Sequence, residues 1–406
     1  MAASTALSVA LMSGSALAEP VKLVFWTFAD AATGAVGDVV KAQIAAFEKA
    51  NPDITVDLEG KPSTDIIAGL IANANAPGVD VVTTQYRASS LVQAGVLADL
   101  TSYFAASSPE FQSQFPKSFI DILTKGGKLL GIPYTTTTSV VYRNLDVLKK
   151  AGIDPAEPVK TWADWLAQMQ KIKDSGDFAV ANQMVFWYEA LAYYGGVPGV
   201  KSFDIVDGKS NLDPAALTKA LTFMKATEPF AAPVDSLAQG ETDLFTSNKL
   251  AFMMSGAWMY PVVEAASKAN GFKYDSIGVP GESADKTGGV FDGEFLSVAE
   301  GSAHKDAAWK LVQFFADAPQ AAVYSSVAGR YVSNNVAIDD PVLKNSTFIQ
   351  QQAKLITSAV NDAPFLQPVP DDAPNAFAAG LADLKGGKAP AEVAADIITA
   401  YDSALE

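Results

Sequence analysis

The stretch "KLLGIPYTTTTSVVYRN", residues 128–144, is a long run of β-branched and aromatic residues, broken only near its start by Gly131 and Pro133. Such a composition predicts a strand. Its length well exceeds the usual five or six residues of a strand in a small sheet. A strand this long suits a chain that leaves one lobe and enters another.

What lies on either side supports that reading. Upstream, "KLVFW" predicts a strand, and Val36, Val39, Val40, Ile44 and Phe47 then share one stripe at helical spacing. Pro52 stops that helix. "ITVDLEG" alternates as a second strand, Ser63 is placed to cap a helix carrying Ile66, Ile67, Leu70 and Ile71, and "VDVVTTQ" is a third strand. Three strand–helix units in succession predict a parallel sheet with right-handed crossovers. Downstream, helical segments such as "TWADWLAQMQKIKDSG" and "DPAALTKALTFMKA" lead to the strand "LAFMMSG", the helix "AWMYPVVEAASKANG", the strands "YDSIGVPG" and "EFLSVAE", and the helices "HKDAAWKLVQFFADA" and "APAEVAADIITAYDSALE".

At 406 residues the chain can bury more than one small core. An apolar fraction of 49% against 18% charged residues excludes a disordered chain. The net charge of −16 argues against nucleic acid as a partner and against docking on an anionic membrane. There is no cysteine, hence no disulfide framework, thiolate metal site or cysteine nucleophile, and the single histidine, His304, excludes a triad or a histidine-rich metal centre. Residues 1–18, apolar and ending in Ala16 and Ala18 in an A-x-A arrangement, read as a secretory signal, although without the usual positively charged start. Beyond them no apolar run reaches the roughly 20 residues of a membrane span. A soluble, exported protein of the periplasm is expected, with no stable membrane insertion.

The order of these pieces resembles the extracellular solute-binding proteins of ABC importers, in the group handling sugars. The carrying residues are "LVFWTF", "AAFEKANPDITVDLE", "GVDVVTTQYRASSLVQAGVLADLTSYF", "GKLLGIPYTTTTSVVYRNLDVLKKAGID", "VKTWADW", "LAFMMSGAWM", "GEFLSVAEGSAHKDAAWKLVQFFAD" and the Gly329–Arg330–Tyr331 of "SSVAGRYVSN". The resemblance implies an α/β, two-lobe periplasmic-binding-protein fold. Each lobe would be a mainly parallel sheet flanked by helices, with a ligand cleft between them. It implies a first lobe of residues 19–133 and 274–317 and a second of 134–273 and 318–406. It also implies a monomer that binds a small carbohydrate, delivers it to permease subunits, and uses no cofactor, metal or catalytic residue.

Ligands of open α/β sheets sit beyond the carboxyl ends of the strands. Candidates there are Trp26 and Phe28 after the first strand, Lys61, Ser63 and Asp65 after the second, and Gln85, Tyr86 and Arg87 after the third. Strand alternation puts Trp26 and Phe28 on one side, so both line the cleft or both pack inward. Trp258 of "SGAWMY", where a strand ends at Gly256 and a helix begins, offers a second aromatic platform by that geometry and by position in the family; Trp187 and Tyr188 are a third candidate, and Gly329 and Arg330 join the set. Indole faces suit the C–H patches of sugar rings. Asp292 and Glu294 flank a glycine turn, and Tyr134 and Thr135 to Thr138, Thr136 foremost, line the crossing strand as hinge or cleft residues. Trp162, Trp165 and Trp309 read as packing residues. Arg87 and Arg330, two of only three arginines, suit hydroxyls and equally an anionic group on the ligand.

Other readings stay open on the sequence. Asp292 and Glu294 could serve a secreted carbohydrate-active hydrolase, which needs two carboxylates. Tyr193 and Tyr194 resemble an iron-binding pair. The acidic balance would also suit a polyamine.

Overall fold

The computed structural model describes residues 20–74, 78–181, 187–232, 237–361, 365–367 and 375–405; residues 1–18, read above as a signal, lie outside them. The chain begins with β1 (Val21–Phe28), α1 (Gly34–Ala50), β2 (Ile54–Lys61), α2 (Ser63–Ala72) and β3 (Val81–Gln85). The apolar stripe of α1 is buried at Val36, Val40, Ile44 and Phe47, which holds the helix on the sheet. The crossing strand β4 runs from Ile132 to Asn144, and all of its residues are buried.

Helix α3 (Trp162–Asp174) starts at a reciprocal cap. The Asp164 N–H donates to the Thr161 hydroxyl at 3.1 Å, and the Thr161 N–H to the Asp164 carboxylate at 3.0 Å. Such a cap contributes about 1 kcal/mol and fixes the helix start, so that Trp162 and Trp165 turn inward. The elements that complete the frame are α4 (Trp187–Gly195), β5 (Phe252–Gly256), β6 (Tyr274–Ile277), β7 (Val290–Val298), α5 (Lys305–Ala316), α6 (Ala318–Ala328) and β8 (Tyr331–Val332).

One ladder runs through both lobes. β1 pairs in parallel with β2 and with β3, as the strand–helix alternation predicts. β3 then pairs antiparallel with β7, and β7 antiparallel with the first half of β4, from Leu296↔Ile132 to Phe291↔Thr138. The second half of β4 pairs antiparallel with β5, from Gly256↔Ser139 to Phe252↔Arg143, and with β6. The expectation of mainly parallel sheets therefore holds on the β1–β2–β3 side. Around β4 the neighbours run antiparallel, because β5 and β6 return alongside a strand that has already crossed.

Two large cores flank the crossing. The first gathers Leu23, Phe25, Val81, Leu130, Phe295 and Phe315. The second gathers Val141, Trp165, Tyr193, Phe252 and Ile397. Val140 and Tyr142, on the opposite face of β4 from Val141, join a separate cluster with Phe245 and Val263. Helix α6, placed in the second lobe by the sequence, packs on the first: Tyr324 and Ala328 belong to the first core, and the Gln43 amide donates to the Gln320 carbonyl at 2.8 Å.

Candidate functional site

β1, β2 and β3 all end at one side of the crossing strands, where a cavity of about 350 Å³ opens. Phe28, Ala29 and Asp30 enter it from the end of β1, Lys61, Pro62 and Ser63 from the end of β2, and Gln85 and Arg87 from the end of β3. The crossing strands add Thr137, Asp292 and Glu294, and Arg330 comes from the turn before β8. Tyr188 and Trp258 close the far side. Parallel strands that end together expose loop residues at their carboxyl ends, and a cleft there collects polar groups around an apolar wall.

A buried ion cluster lies on one side of the cavity. The Arg330 guanidinium, 4% exposed, donates to the Asp30 carboxylate at 2.6 Å and to the Tyr324 hydroxyl at 3.1 Å. Its Nε lies 3.1 Å from the Glu294 carboxylate. The Thr135 hydroxyl donates to the other Glu294 oxygen at 2.7 Å. Burial pushes the Glu294 carboxyl above the usual range, while Arg330 and the Thr135 hydrogen bond pull it part-way back. Burial also opposes the charge on Arg330, but Glu294, Tyr324 and Asp30 outweigh it and hold the guanidinium above its ordinary value. Nearby, Arg87 Nε donates to the Gln85 side chain at 3.2 Å and lies 3.8 Å from the Asp292 carboxylate.

The opposite side is aromatic. Tyr188 and Trp258 meet edge to face at 5.5 Å. A Cβ on Gly256 would overlap the Trp258 ring, so this glycine is what lets the indole fold back over the end of β5. Gly256 shapes the site in that way without lining the cavity.

Several expected residues lie elsewhere. Trp26 packs one turn of the pleat below Phe28, in the first core, with α2 against its ring at Gly69 and the Lys61 ammonium 4.6 Å from its centroid. Tyr86 points away from the cavity into the same core, where it stacks on Phe295 at 6.0 Å, and a Cβ on Gly293 would overlap its ring. Tyr134 is buried against Tyr324 at 4.8 Å, behind Arg330. Thr136 faces β8, its hydroxyl 3.5 Å from the Tyr331 carbonyl. Gly329 ends α6 against Tyr260. Asp65 is exposed in the first turn of α2. Trp187 lies beside the wall, with the Arg87 guanidinium 5.4 Å from its ring centroid. Tyr193 and Tyr194 sit in the second core, where Tyr194 accepts from the Asp213 N–H at 3.1 Å. Burial thus commits both rings of the suspected iron pair to packing.

Comparison with known proteins bears on the whole arrangement. The model of the bacterial extracellular solute-binding protein family matches residues 42–351. The chain belongs to that family. Among the family's relatives, a binding protein of Brucella abortus (strain 2308) is 28% identical over 330 residues, covering 76% of this chain and 74% of its own. The sn-glycerol-3-phosphate-binding periplasmic protein UgpB of Shigella dysenteriae is 29% identical over 221 residues, covering 51% of this chain and 48% of its own. The GacH receptor of Streptomyces glaucescens, solved unliganded and with acarbose, superposes with a TM-score of 0.81 at 21% identity, over 95% of this chain and 98% of its own. The maltotriose-binding protein of Thermus thermophilus superposes with a TM-score of 0.77 at 17% identity, over 95% and 100%. These likenesses carry the two-lobe fold. Among the described residues, no helix of this solute-binding protein is long and apolar enough to cross a membrane.

Sequence reasoning missed Asp30, Ala29 and Pro62, and from the run Thr135 to Thr138 it put Thr136 forward where Thr137 lines the cavity. Thr137 was one of four consecutive threonines, and strand alternation alone separates 135 and 137 from 136 without saying which pair faces the cavity. Asp30 sits in the short turn Ala29–Ala31, and its partner Arg330 is 300 residues away, so no local pattern announces the pair.

Proposed function

We propose that this chain is the substrate-binding component of an ABC importer and captures a carbohydrate or sugar derivative between its lobes. The observation that carries this reading is the pairing of walls in one cavity. Trp258 and Tyr188 offer ring faces on one side, and Asp30, Glu294, Arg330 and Thr137 offer hydrogen-bonding groups on the other. A sugar needs both, because its hydroxyls demand polar partners and its C–H face buries apolar area. At about 25 cal/mol per Å², one stacked indole contributes roughly 1–2 kcal/mol. Sugar-binding neighbours of the same fold support the reading.

Capture involves no covalent step. Asp292 and Glu294, the carboxylates that a hydrolase would use, each lie beside an arginine, so they act as acceptors held in place. Binding shifts an open–closed equilibrium by the ligand's preference for the closed form, with β4 and β7 as the crossing segments. The closed form presents both lobes to permease subunits. Residues 1–18 direct export to the periplasm, where the protein acts as a monomer. Val279 and Val290 pack in the second core and α6 on the first, so the lobe boundaries of this reading lie near residues 133, 290 and 328, in place of the 273 and 317 expected from the sequence.

Thermal-shift screening of the purified chain against mono-, di- and oligosaccharides, with sugar acids and phosphates, tests the reading. At least one sugar is expected to raise the melting temperature by several degrees. A panel in which no sugar or sugar derivative does so contradicts it.

A further inference from the structure

We propose that Asp30 sets the charge selectivity of the cleft: by neutralising Arg330 it converts an anion-binding fork into a donor for hydroxyls, so that the site takes an uncharged polyhydroxylated solute and rejects phosphate esters. This rests on the solute-capture reading above and narrows it, since a relative of this chain is an sn-glycerol-3-phosphate-binding protein.

Six formally charged side chains line the cavity, three of each sign: Lys61, Arg87 and Arg330 against Asp30, Asp292 and Glu294. Each cation has a carboxylate beside it. Lys61 lies 2.8 Å from Glu59, Arg87 3.8 Å from Asp292, and Arg330 between Asp30 and Glu294 at 2.6 and 3.1 Å. A phosphate placed here would find the Arg330 fork already occupied and would stand among three carboxylates. Around the buried carboxylates Asp292 and Glu294 that repulsion is weakly screened. A hydroxyl both donates and accepts, so it can donate to Asp30 or Glu294 and leave the charge balance intact.

Three further observations point the same way. Thr137 lines the cavity and is 5% exposed, and its hydroxyl has no hydrogen-bond partner among the described residues, as a group waiting for a neutral hydroxyl would be. The start of α2, which would attract an anion, carries Asp65 in its first turn. A net charge of −16 also opposes the approach of anions from solution.

Asp30 is the adjustable member of the cluster. Glu294 is 5% exposed and lies on a crossing strand, whereas Asp30 is 47% exposed on a turn at the cavity mouth. Removing its charge frees one edge of the guanidinium without opening the core.

The test is calorimetric titration of the wild-type chain and of Asp30→Asn at pH 7.5 and low salt. The probes are inorganic phosphate, sn-glycerol 3-phosphate and a set of neutral saccharides. Wild type is expected to give no measurable heat with either phosphate at millimolar concentration. Asp30→Asn is expected to bind inorganic phosphate at least tenfold more tightly than wild type, and to lose about tenfold in affinity for any saccharide that wild type binds. Wild type preferring sn-glycerol 3-phosphate to every neutral solute would overturn the proposal while leaving solute capture intact. A variant as indifferent to phosphate as wild type, with an unchanged melting temperature, would overturn it too. Phosphate gained by the variant, with no saccharide bound by wild type, would support Asp30 as the selector and count against the carbohydrate reading.

Discussion

On one side of the cleft buried Glu294 and Arg330 form an ion cluster with the half-exposed Asp30, and on the other Tyr188 and Trp258 form an edge-to-face pair of rings without charge. The two walls are made differently because they do different work. The charged wall is costly to desolvate and so must be internally balanced, which leaves it able to discriminate by charge. The aromatic wall has no such constraint and adds affinity in proportion to the area it covers. Selectivity and affinity are thereby separable, and substitutions on the two walls should differ in kind.

The largest effect is expected from Arg330→Ala. It leaves Glu294 buried without its cation and should cost about 3 kcal/mol of stability in urea denaturation. Adding Glu294→Gln should restore part of that loss. A single variant that loses less than about 1 kcal/mol would mean that the cluster is not a structural unit. On the other wall, Trp258→Ala should weaken saccharide binding roughly tenfold, about 1–2 kcal/mol, with the preference for neutral over phosphorylated solutes unchanged. A change in that preference would break the division of labour between the walls.

A fourth substitution sharpens the contrast between buried carboxyls. Glu294 has a guanidinium beside it, whereas burial and then the neighbouring Glu241 push the Glu189 carboxyl well above the usual range. A raised folded-state value means that the folded chain holds more protons than the unfolded chain. Stability is therefore fullest below the unfolded carboxylate value of about 4.3 and falls as pH rises from there toward the folded value. Glu189→Gln should remove that fall: melting temperatures of variant and wild type converge near pH 4, and the variant leads at pH 7 to 8. Parallel curves across that range would contradict the assignment. The smallest effect is expected at Asp65→Asn, an exposed position, where stability should stay within about 0.5 kcal/mol.

The sequence carried the frame of the cleft further than its depth. Residues 128–144 announced the crossing because a long β-branched run has few other uses; the strand itself begins beyond Gly131, at Ile132, and β4 divides its pairing between β7 and β5. Strand ends located Phe28, Lys61, Gln85 and Arg87 at the cavity. Alternation gave Trp26 and Phe28 one fate, yet only Phe28 lines the cavity: two residues span about 6.6 Å of strand, enough to separate core from mouth. The same periodicity applied to "QYR" separates Tyr86 from Gln85 and Arg87, and the structure turns Tyr86 inward accordingly. Asp30 was illegible for a different reason. Its role depends on a partner brought close only by the finished fold.

The central claim, capture of an uncharged solute by closure of two lobes, is tested most directly by a distance measured across the cleft. The chain contains no cysteine, so spin labels can be placed singly at Lys41→Cys on α1 and Lys171→Cys on α3, both exposed. Pulsed dipolar spectroscopy should then show a neutral saccharide shortening and narrowing the distance distribution, with sn-glycerol 3-phosphate leaving it where it was. A distribution that shifts with the phosphate ester and with no saccharide would contradict the account.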